Sequence, residues 1–289
     1  MTPKKKNLTV SRAFLNVFLM IVALAWLFPL LWALFNSFRN YSYTSQHGYF
    51  SFGGFTLDNF VNAWEQGGFT QSFLNSLIIT ALAVLFTLAL SSCMAFVLAR
   101  FSFKFNLAML AFFVAANLLP PQSLLVPVYR MFMWIPIPEF LSASGSLLDT
   151  HLGVIIVNTA FQTGFCTFVL ANYMKAIPAE IYEAADVDGA SVWSQFWTLT
   201  IPLCRTPLAA LATLQTAWIY NEFFWATVLL QKGDKFPVTS SLNNLKGSFF
   251  TDYNLLSAGS ILAALPILIL FFVLQRQFVS GLTMGSTKG

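Results

Sequence analysis

Charge is the scarcest property of this 289-residue chain: Asp, Glu, Lys and Arg together make up 9% of it. A soluble domain carries about 25% charged residues, so too few are present here to cover a surface that faces water on all sides. Histidine is almost missing, with only His47 and His151, both in or at connecting segments between apolar runs. Without paired histidines, a Ser–Lys dyad or two aspartates inside an apolar stretch, intramembrane catalysis has no candidate residues. The three cysteines (Cys93, Cys166, Cys204) lie in or beside apolar segments and share no metal-like spacing. They read as free thiols, buried or facing lipid, and no metal site is expected. No GxxxxGK[ST] loop occurs, so the chain carries no recognisable phosphate cradle of its own. Internal repeats and low-complexity linkers are also missing, which favours one domain over residues 1–289. No small-residue cleavage site precedes the first apolar run, so that run reads as a retained helix rather than a signal peptide.

What is present is apolar. Hydrophobic residues make up 57% of the chain, Phe alone accounts for 32 positions, and the mean hydropathy is +0.70. A bilayer core needs about 20 apolar residues per helix. Six stretches reach that length: Ala13–Phe35, Ser72–Leu98, Leu107–Val128, Leu152–Met174, Pro207–Leu230 and Leu256–Val279. The expected class is therefore an all-α polytopic membrane protein with about six transmembrane helices. Pro29, Pro120, Pro121, Pro127 and Pro266 fall within these stretches, where they kink or break a helix. With the N-terminus inside, ten Lys and Arg lie on the inner side against five outside, and Lys4, Lys5, Lys6 and Arg12 flank the first helix. The positive-inside rule then places both termini in the cytoplasm of a cell (inner or plasma) membrane. The net charge of +4 reports this topology, not an acidic partner such as nucleic acid. The outer segments Asn36–Gln71 and Tyr129–His151 are long and aromatic, with room for short surface helices.

The inner segment 175–203 is the most informative. Pro178 can start a helix, and Glu180 and Glu183 suit its first turns because they oppose the positive dipole end. Ala184 and Ala185 favour helix, and Gly189 can take the positive φ that ends one. Ser191 can cap a second helix running through Phe196 and Trp197, and Ile201-Pro202 leads back towards the membrane. The product is a helix–Gly–helix elbow. Ile181, Ala184, Ala185 and Val187 would give it a small apolar patch beside Glu180, Glu183, Asp186 and Asp188. Such a patch is either a partner surface or an ordinary solvated loop with an interfacial helix; the residues alone leave both open.

Glu183-Ala184-Ala185, Gly189 and Ile201-Pro202 together resemble the EAA loop of ATP-binding-cassette importer permeases. Leu-Pro is the commoner ending, so Ile201 is a mild departure. The likeness extends to Thr56-Leu57-Asp58-Asn59-Phe60, Asn75-Ser76, Ala99-Arg100-Phe101, Pro120-Pro121 and Pro127, and Asn221-Glu222-Phe223, as in sugar-importer permeases. Tyr220 stands where Trp is common, and Lys104-Phe105 falls where that group often has Gly. The ending Gly281–Gly289 is similar to the tail of the second, maltose-type permease subunit.

That resemblance implies a type I importer bundle whose elbow is a coupling helix docking on an ATPase. Glu183, Ala184, Ala185, Asp188, Gly189 and Pro202 would carry the coupling, and Gly285, Lys288 and Gly289 would reach towards the ATPase dimer. It further implies a related second permease, two ATPase subunits, an extracytoplasmic solute-binding protein, membrane lipid and a sugar. No cofactor is expected in this chain, ATP and magnesium being bound by the partner ATPases, and the chain itself is not expected to be an enzyme.

Glu222 is the sole charged residue well inside an expected span. A mid-membrane carboxylate costs about 2.5–3.5 kcal/mol on insertion scales, so it should face protein or water. It is either a gate or cavity residue or a structural acid at a helix contact, and Asn221 shares the ambiguity. Asn75, Asn117, Gln122, Asn158, Gln162 and Gln215 have the amides that sugars use, although interhelical bonding is the commoner role of such residues. No Lys or Arg lies mid-span, which favours a neutral sugar over the alternative solute glycerol phosphate; a polyol is the other alternative. A stand-alone secondary transporter would show inverted repeats and paired broken helices.

Overall fold

The computed structural model describes residues 5–139, 142, 145–247 and 249–283, with side chains described between Arg12 and Val273. In chain order the α-helices are α1 (Lys5–Ser37), α2 (Tyr41–His47), α3 (Asp58–Gln66), α4 (Phe69–Arg100) and α5 (Asn106–Asn117). After these come α6 (Leu125–Trp134), α7 (His151–Met174), α8 (Ala179–Val187), α9 (Val192–Ser194) and α10 (Ile201–Leu203). The last four are α11 (Arg205–Tyr220), α12 (Phe224–Leu229), α13 (Val238–Ser241) and α14 (Tyr253–Thr283). Among the described residues the only β pairing is two isolated bridges, so the architecture is all-α as expected.

Among the described residues, four helices are long and apolar enough to cross a membrane without interruption: Arg12–Ser37, α4, α7 and Tyr253–Val273. The other two expected spans are broken. The stretch 107–128 divides between Asn106–Asn117 and Pro121–Trp134, which meet at a bend of 95°. Pro120 and Pro121 lack the amide hydrogens a continuous helix would use there, and residues before proline avoid helical backbone. The stretch 207–230 divides into α11 and α12 at Asn221–Phe223. There Glu222 accepts hydrogen bonds from the backbone amides of Trp225 (2.6 Å) and Ala226 (3.0 Å), capping a new helix instead of continuing the old one. Apolar composition gave the length of both stretches, but not their continuity.

The chain divides into two compact units. One comprises residues 1–69 and 242–265. Its α1–α3 segment turns around Arg39, which is fully buried and fans its guanidinium over oxygens. It donates to the carbonyls of Tyr49 (2.7 Å) and Gly53 (3.1 Å) and to Ser51 Oγ (2.6 Å), with its Cζ 5.0 Å from the Phe35 ring centroid. Asn59 donates to the carbonyls of Ser37 and Arg39, so the Thr56–Phe60 motif has a local role in tying α3 to the end of α1.

The other unit comprises residues 70–241 and 266–289 and contains the elbow. α7 runs through its centre and contributes to two apolar clusters. One gathers Phe132, Leu147, Ile155, Ile219, Trp225 and Leu229; the other gathers Phe96, Leu98, Cys166, Leu170, Met174, Tyr182 and Phe196. α5 approaches α7 at Gly164, where a Cβ would sit 2.6 Å from Asn117 Nδ2 and 3.0 Å from the Phe113 carbonyl oxygen. A small residue there permits close helix packing. The cysteines are free thiols, Cys166 and Cys204 buried and Cys93 exposed.

Candidate functional site

The elbow forms as its residues dictate. Pro178 precedes α8, and Gly189 ends the turn at φ +75°, a left-handed backbone that side chains with a Cβ resist. Its amide donates to the Asp186 carbonyl and that of Ala190 to the Ala185 carbonyl, satisfying the last carbonyls of α8. The Ser191 hydroxyl oxygen then accepts from the Ser194 amide and caps the next segment. That segment is not one regular second helix: α9 passes into a π-helical stretch, Gln195–Thr200, and then into α10, which carries Pro202. Rings crowd the widened turn, with Phe196 5.3 Å from Phe96 and 5.0 Å from Trp197.

The elbow has an outer and an inner face. Glu183, Ala184, Asp188 and Gly189 are exposed, as is Pro202 beyond them, and Val187 is 89% exposed. Ala185 is not part of this surface. It is 9% exposed, because a residue three positions after buried Tyr182 returns to the same side of a helix. Tyr182 is 5% exposed, and its hydroxyl shares a 3.0 Å hydrogen bond with Thr200 Oγ1. Burial pushes the Tyr182 phenol above its ordinary value, outweighing the lowering by the Thr200 bond and by Arg100, so it is a neutral group here.

Asp186 stays exposed but is bonded through both carboxylate oxygens. Its Oδ2 accepts from Arg100 Nη2 at 2.8 Å and its Oδ1 from Gln195 Nε2 at 2.6 Å. Gln195, 1% exposed, donates as well to the Ala190 carbonyl, and Arg100 Cζ lies 5.0 Å from the Tyr182 ring centroid. All four carboxylates beside the apolar patch are exposed, and Asp186 is the one among them that is bonded to Arg100. The pairing of Arg100 with Asp186 spans 86 positions, and no local pattern announces it.

The polar residues considered for a solute path are placed as follows. Asn75 is fully buried and donates to the carbonyls of Asp234 (2.8 Å) and Phe236 (3.1 Å). Asn158 donates to the Val154 carbonyl of its own helix, and the exposed residues Asn117 and Asn221 do the same to Phe113 and Ala217. Glu222 caps α12, as above. The acceptor oxygens of Gln162 and Gln215, together with the hydroxyls of Thr80, Thr87 and Thr159, are buried without a hydrogen-bond partner. Such atoms call for water, a ligand or another chain. The three threonines escaped sequence reasoning, because a hydroxyl at membrane depth usually bonds its own helix. Asn117 and Thr159 also line a cavity of about 690 Å³ whose other walls include Phe86, Leu90, Phe112 and Ile156. Those walls offer carbon rather than hydrogen-bond partners, which suits an acyl chain or apolar helix better than a hydroxylated solute. Gly285, Lys288 and Gly289 of the expected tail contact lie outside the described residues.

At the other end of this unit, Lys235 Nζ donates to Asp149 Oδ2 (2.7 Å) and to the Asp149 carbonyl (2.6 Å), while Asp149 Oδ1 accepts from the Gln231 amide at 2.9 Å. Burial would raise the Asp149 carboxyl, but the bonds from Lys235 and Gln231 outweigh it and hold the group below its ordinary value.

Three comparisons bear on this geometry. Residues 88–283 match the family model described as the inner membrane component of binding-protein-dependent transport systems. A probable ABC transporter permease protein of Pyrococcus horikoshii is 31% identical over 271 residues, covering 92% of this chain and 94% of the relative. The melibiose/raffinose/stachyose import permease MelC of Bacillus subtilis is 30% identical, with 81% of this chain and 82% of the relative covered. Among solved structures, a bacterial ABC transporter involved in import of the acidic polysaccharide alginate matches with a TM-score of 0.77. That match spans 96% of this chain and all of the other at 20% identity, a likeness of fold.

Proposed function

Since the chain belongs to the family of inner-membrane components of binding-protein-dependent transport systems, we propose that it is the permease subunit of an ATP-binding-cassette importer for a neutral sugar or oligosaccharide. The observation that carries the reading is the elbow. A short helix with an exposed end, Glu183, Ala184, Val187 and Asp188, closes on a glycine at positive φ. The helix is bonded through Tyr182 to Thr200 and through Asp186 to Gln195 and Arg100. A sugar is favoured by relatives such as the melibiose/raffinose/stachyose permease, and by spans without a mid-membrane Lys or Arg.

In this reading both termini are cytoplasmic, and the elbow docks on one of two ATPase subunits that bind ATP and magnesium and perform the hydrolysis. A second, related permease completes the path, and an extracytoplasmic binding protein delivers the sugar. Closure of the ATPase pair displaces the elbow, and the bundle passes between inward-facing and outward-facing arrangements. Glu183 acts as the polar contact to the ATPase, Gly189 sets the backbone shape, and Gly285, Lys288 and Gly289 make a second contact. Glu222 acts here as a structural cap; the orphaned oxygens of Gln162 and Gln215 are better candidates for the solute path.

The test is purification through a tag on this subunit after expression with its genomic neighbours. ATPase subunits should accompany it, and Gly189→Asp should lose them or lose the stimulation of hydrolysis by sugar-loaded binding protein. A chain that never brings down an ATPase would contradict the reading and favour a stand-alone transporter.

A further inference from the structure

α4 stands apart from the other long helices in its composition. α1 contains Pro29, α14 contains Gly259 and Pro266, α7 contains Gly153 and Gly164, and the two remaining expected spans are broken. The 32 residues of α4 include neither proline nor glycine. Kinks arise mostly at those residues, so α4 lacks the usual causes of a bend. From Asn75 to Arg100 it extends about 37 Å, at 1.5 Å per residue.

Both ends of this rod are fastened by side chains to places far away in sequence. At one end Arg100 holds Asp186 and lies over the Tyr182 ring, so a shift of α8 draws on the end of α4. Phe96, one turn earlier, packs on Phe196 and so fixes the second limb of the elbow to the same helix. At the other end Asn75 donates to the carbonyls of Asp234 and Phe236, and the Ser76 hydroxyl oxygen accepts from the Val238 amide at 2.8 Å. The segment so held is tied to the break between α11 and α12, because Thr239 Oγ1 donates to the Glu222 carbonyl at 2.9 Å.

The Arg100–Asp186 pair is partly open to water, with side chains 26% and 53% exposed. An ion pair so exposed adds little to the stability of a fold. Its geometry suits a different role. A charge-assisted bond with an adjoining ring contact fixes direction and distance between two elements, whatever it adds to stability.

We infer that Arg100 is a positioning residue that joins the elbow to α4, and that α4 carries the elbow's displacement to the 231–241 segment. This rests on the elbow being the ATPase contact. The physical warrant is a rigid element with a specific fastening at each end, able to pass a shift between two discrete arrangements. Of the four exposed carboxylates of the elbow, Glu180, Glu183, Asp186 and Asp188, it is Asp186 that pairs with Arg100.

The experiment uses the whole complex with its binding protein. A reporter thiol is introduced by Lys232→Cys, at an exposed site in the far segment, on a Cys93→Ser background. Its rate of maleimide labelling is measured with and without ATP, magnesium and vanadate. In the parent complex, the nucleotide changes the rate. Arg100→Asp should abolish that change while the ATPase still co-purifies, and Arg100→Asp with Asp186→Arg should restore it by rebuilding the pair with reversed charge. Arg100→Lys, which keeps the charge but gives up the planar fork, should restore it only in part. An Arg100→Asp complex that assembles and still shows the full nucleotide response would overturn the inference and leave the proposed function standing. A parent complex with no ATPase would instead overturn the proposed function. Should Arg100→Asp fail to assemble, the doubly substituted complex decides: recovered assembly with a recovered response supports the joint, and recovered assembly without it refutes the role of α4.

Discussion

The two ends of α4 are built on different principles. At the elbow end α4 meets the elbow through side chains: the Arg100 guanidinium on the Asp186 carboxylate and the Tyr182 ring, and the Phe96 ring against Phe196. At the far end side chains grip main chain, with Asn75 on two carbonyls and Ser76 on an amide. The elbow also leaves one face bare, whereas Asn75, Ser76, Val238 and Ser240 are buried. Contacts between side chains let a surface helix keep its orientation while its backbone bonds stay internal. Clasps on main chain make a segment without long helices follow whatever holds it. The first end is suited to being pushed, and the second to being carried along.

The comparison can be broken most sharply at Gly189. A β-branched residue there opposes the left-handed backbone by about 1–2 kcal/mol, and since nothing lies within 4 Å of its Cβ position, conformation and not crowding is the cause. Gly189→Val should therefore abolish binding-protein-stimulated ATP hydrolysis while lowering the melting temperature of the isolated subunit by only a few degrees. A large loss of stability with coupling intact would reverse the assignment. At the far end the effect should be opposite in kind. Asn75→Ala leaves two carbonyls without their donor, each at a cost of about 1–3 kcal/mol. The melting temperature should fall clearly, and Asn75→Asp should not rescue it, because a carboxylate has no hydrogen to donate.

A third contrast uses pH. Asp149 has a lowered carboxyl pKa, so its stabilising effect is fully present above the unfolded carboxylate value of about 3.9 and is lost as pH falls through the lower folded value. At neutral pH Asp149→Asn should destabilise by about 2 kcal/mol, the usual worth of hydrogen bonds to a charged group. The gap between parent and variant melting temperatures should then close in strong acid. A gap unchanged down to about pH 2, below the usual carboxylate range, would mean that charge is not what holds Lys235. The smallest stability effect belongs to Glu183→Gln, within about 0.5 kcal/mol for an exposed substitution without intramolecular bonds. Its effect should show in the affinity of the ATPase instead, measured by the salt concentration at which the two dissociate.

These regions also differ in how far the sequence disclosed them. The elbow was legible because its determinants are local: proline before a helix, glycine after it, serine at the next cap, all close together in the chain. The lengths of the spans were legible for the same reason, since burial in lipid needs only an apolar run. Continuity was not. Whether Pro120-Pro121 kinks or ends a helix depends on what replaces the missing amide bonds, and Glu222 reads as a charge in a membrane until its carboxylate is seen capping α12. The pairings Arg100–Asp186, Asn75–Asp234 and Asp149–Lys235 join residues 86 to 159 positions apart, and hydrophobic periodicity carries no record of them. Ala185 shows the limit within the elbow itself: helix propensity placed it correctly in α8, but the buried side of α8 is set by Tyr182 against Phe96 and Thr200.

The measurement that bears most directly on the account is ATP hydrolysis by the complex purified through this subunit, with its binding protein, across melibiose, raffinose, stachyose and other neutral sugars. The account predicts that at least one of them raises hydrolysis in the parent complex and none does so with Gly189→Asp. Hydrolysis that ignores every sugar, or that responds equally with Gly189→Asp, would contradict it.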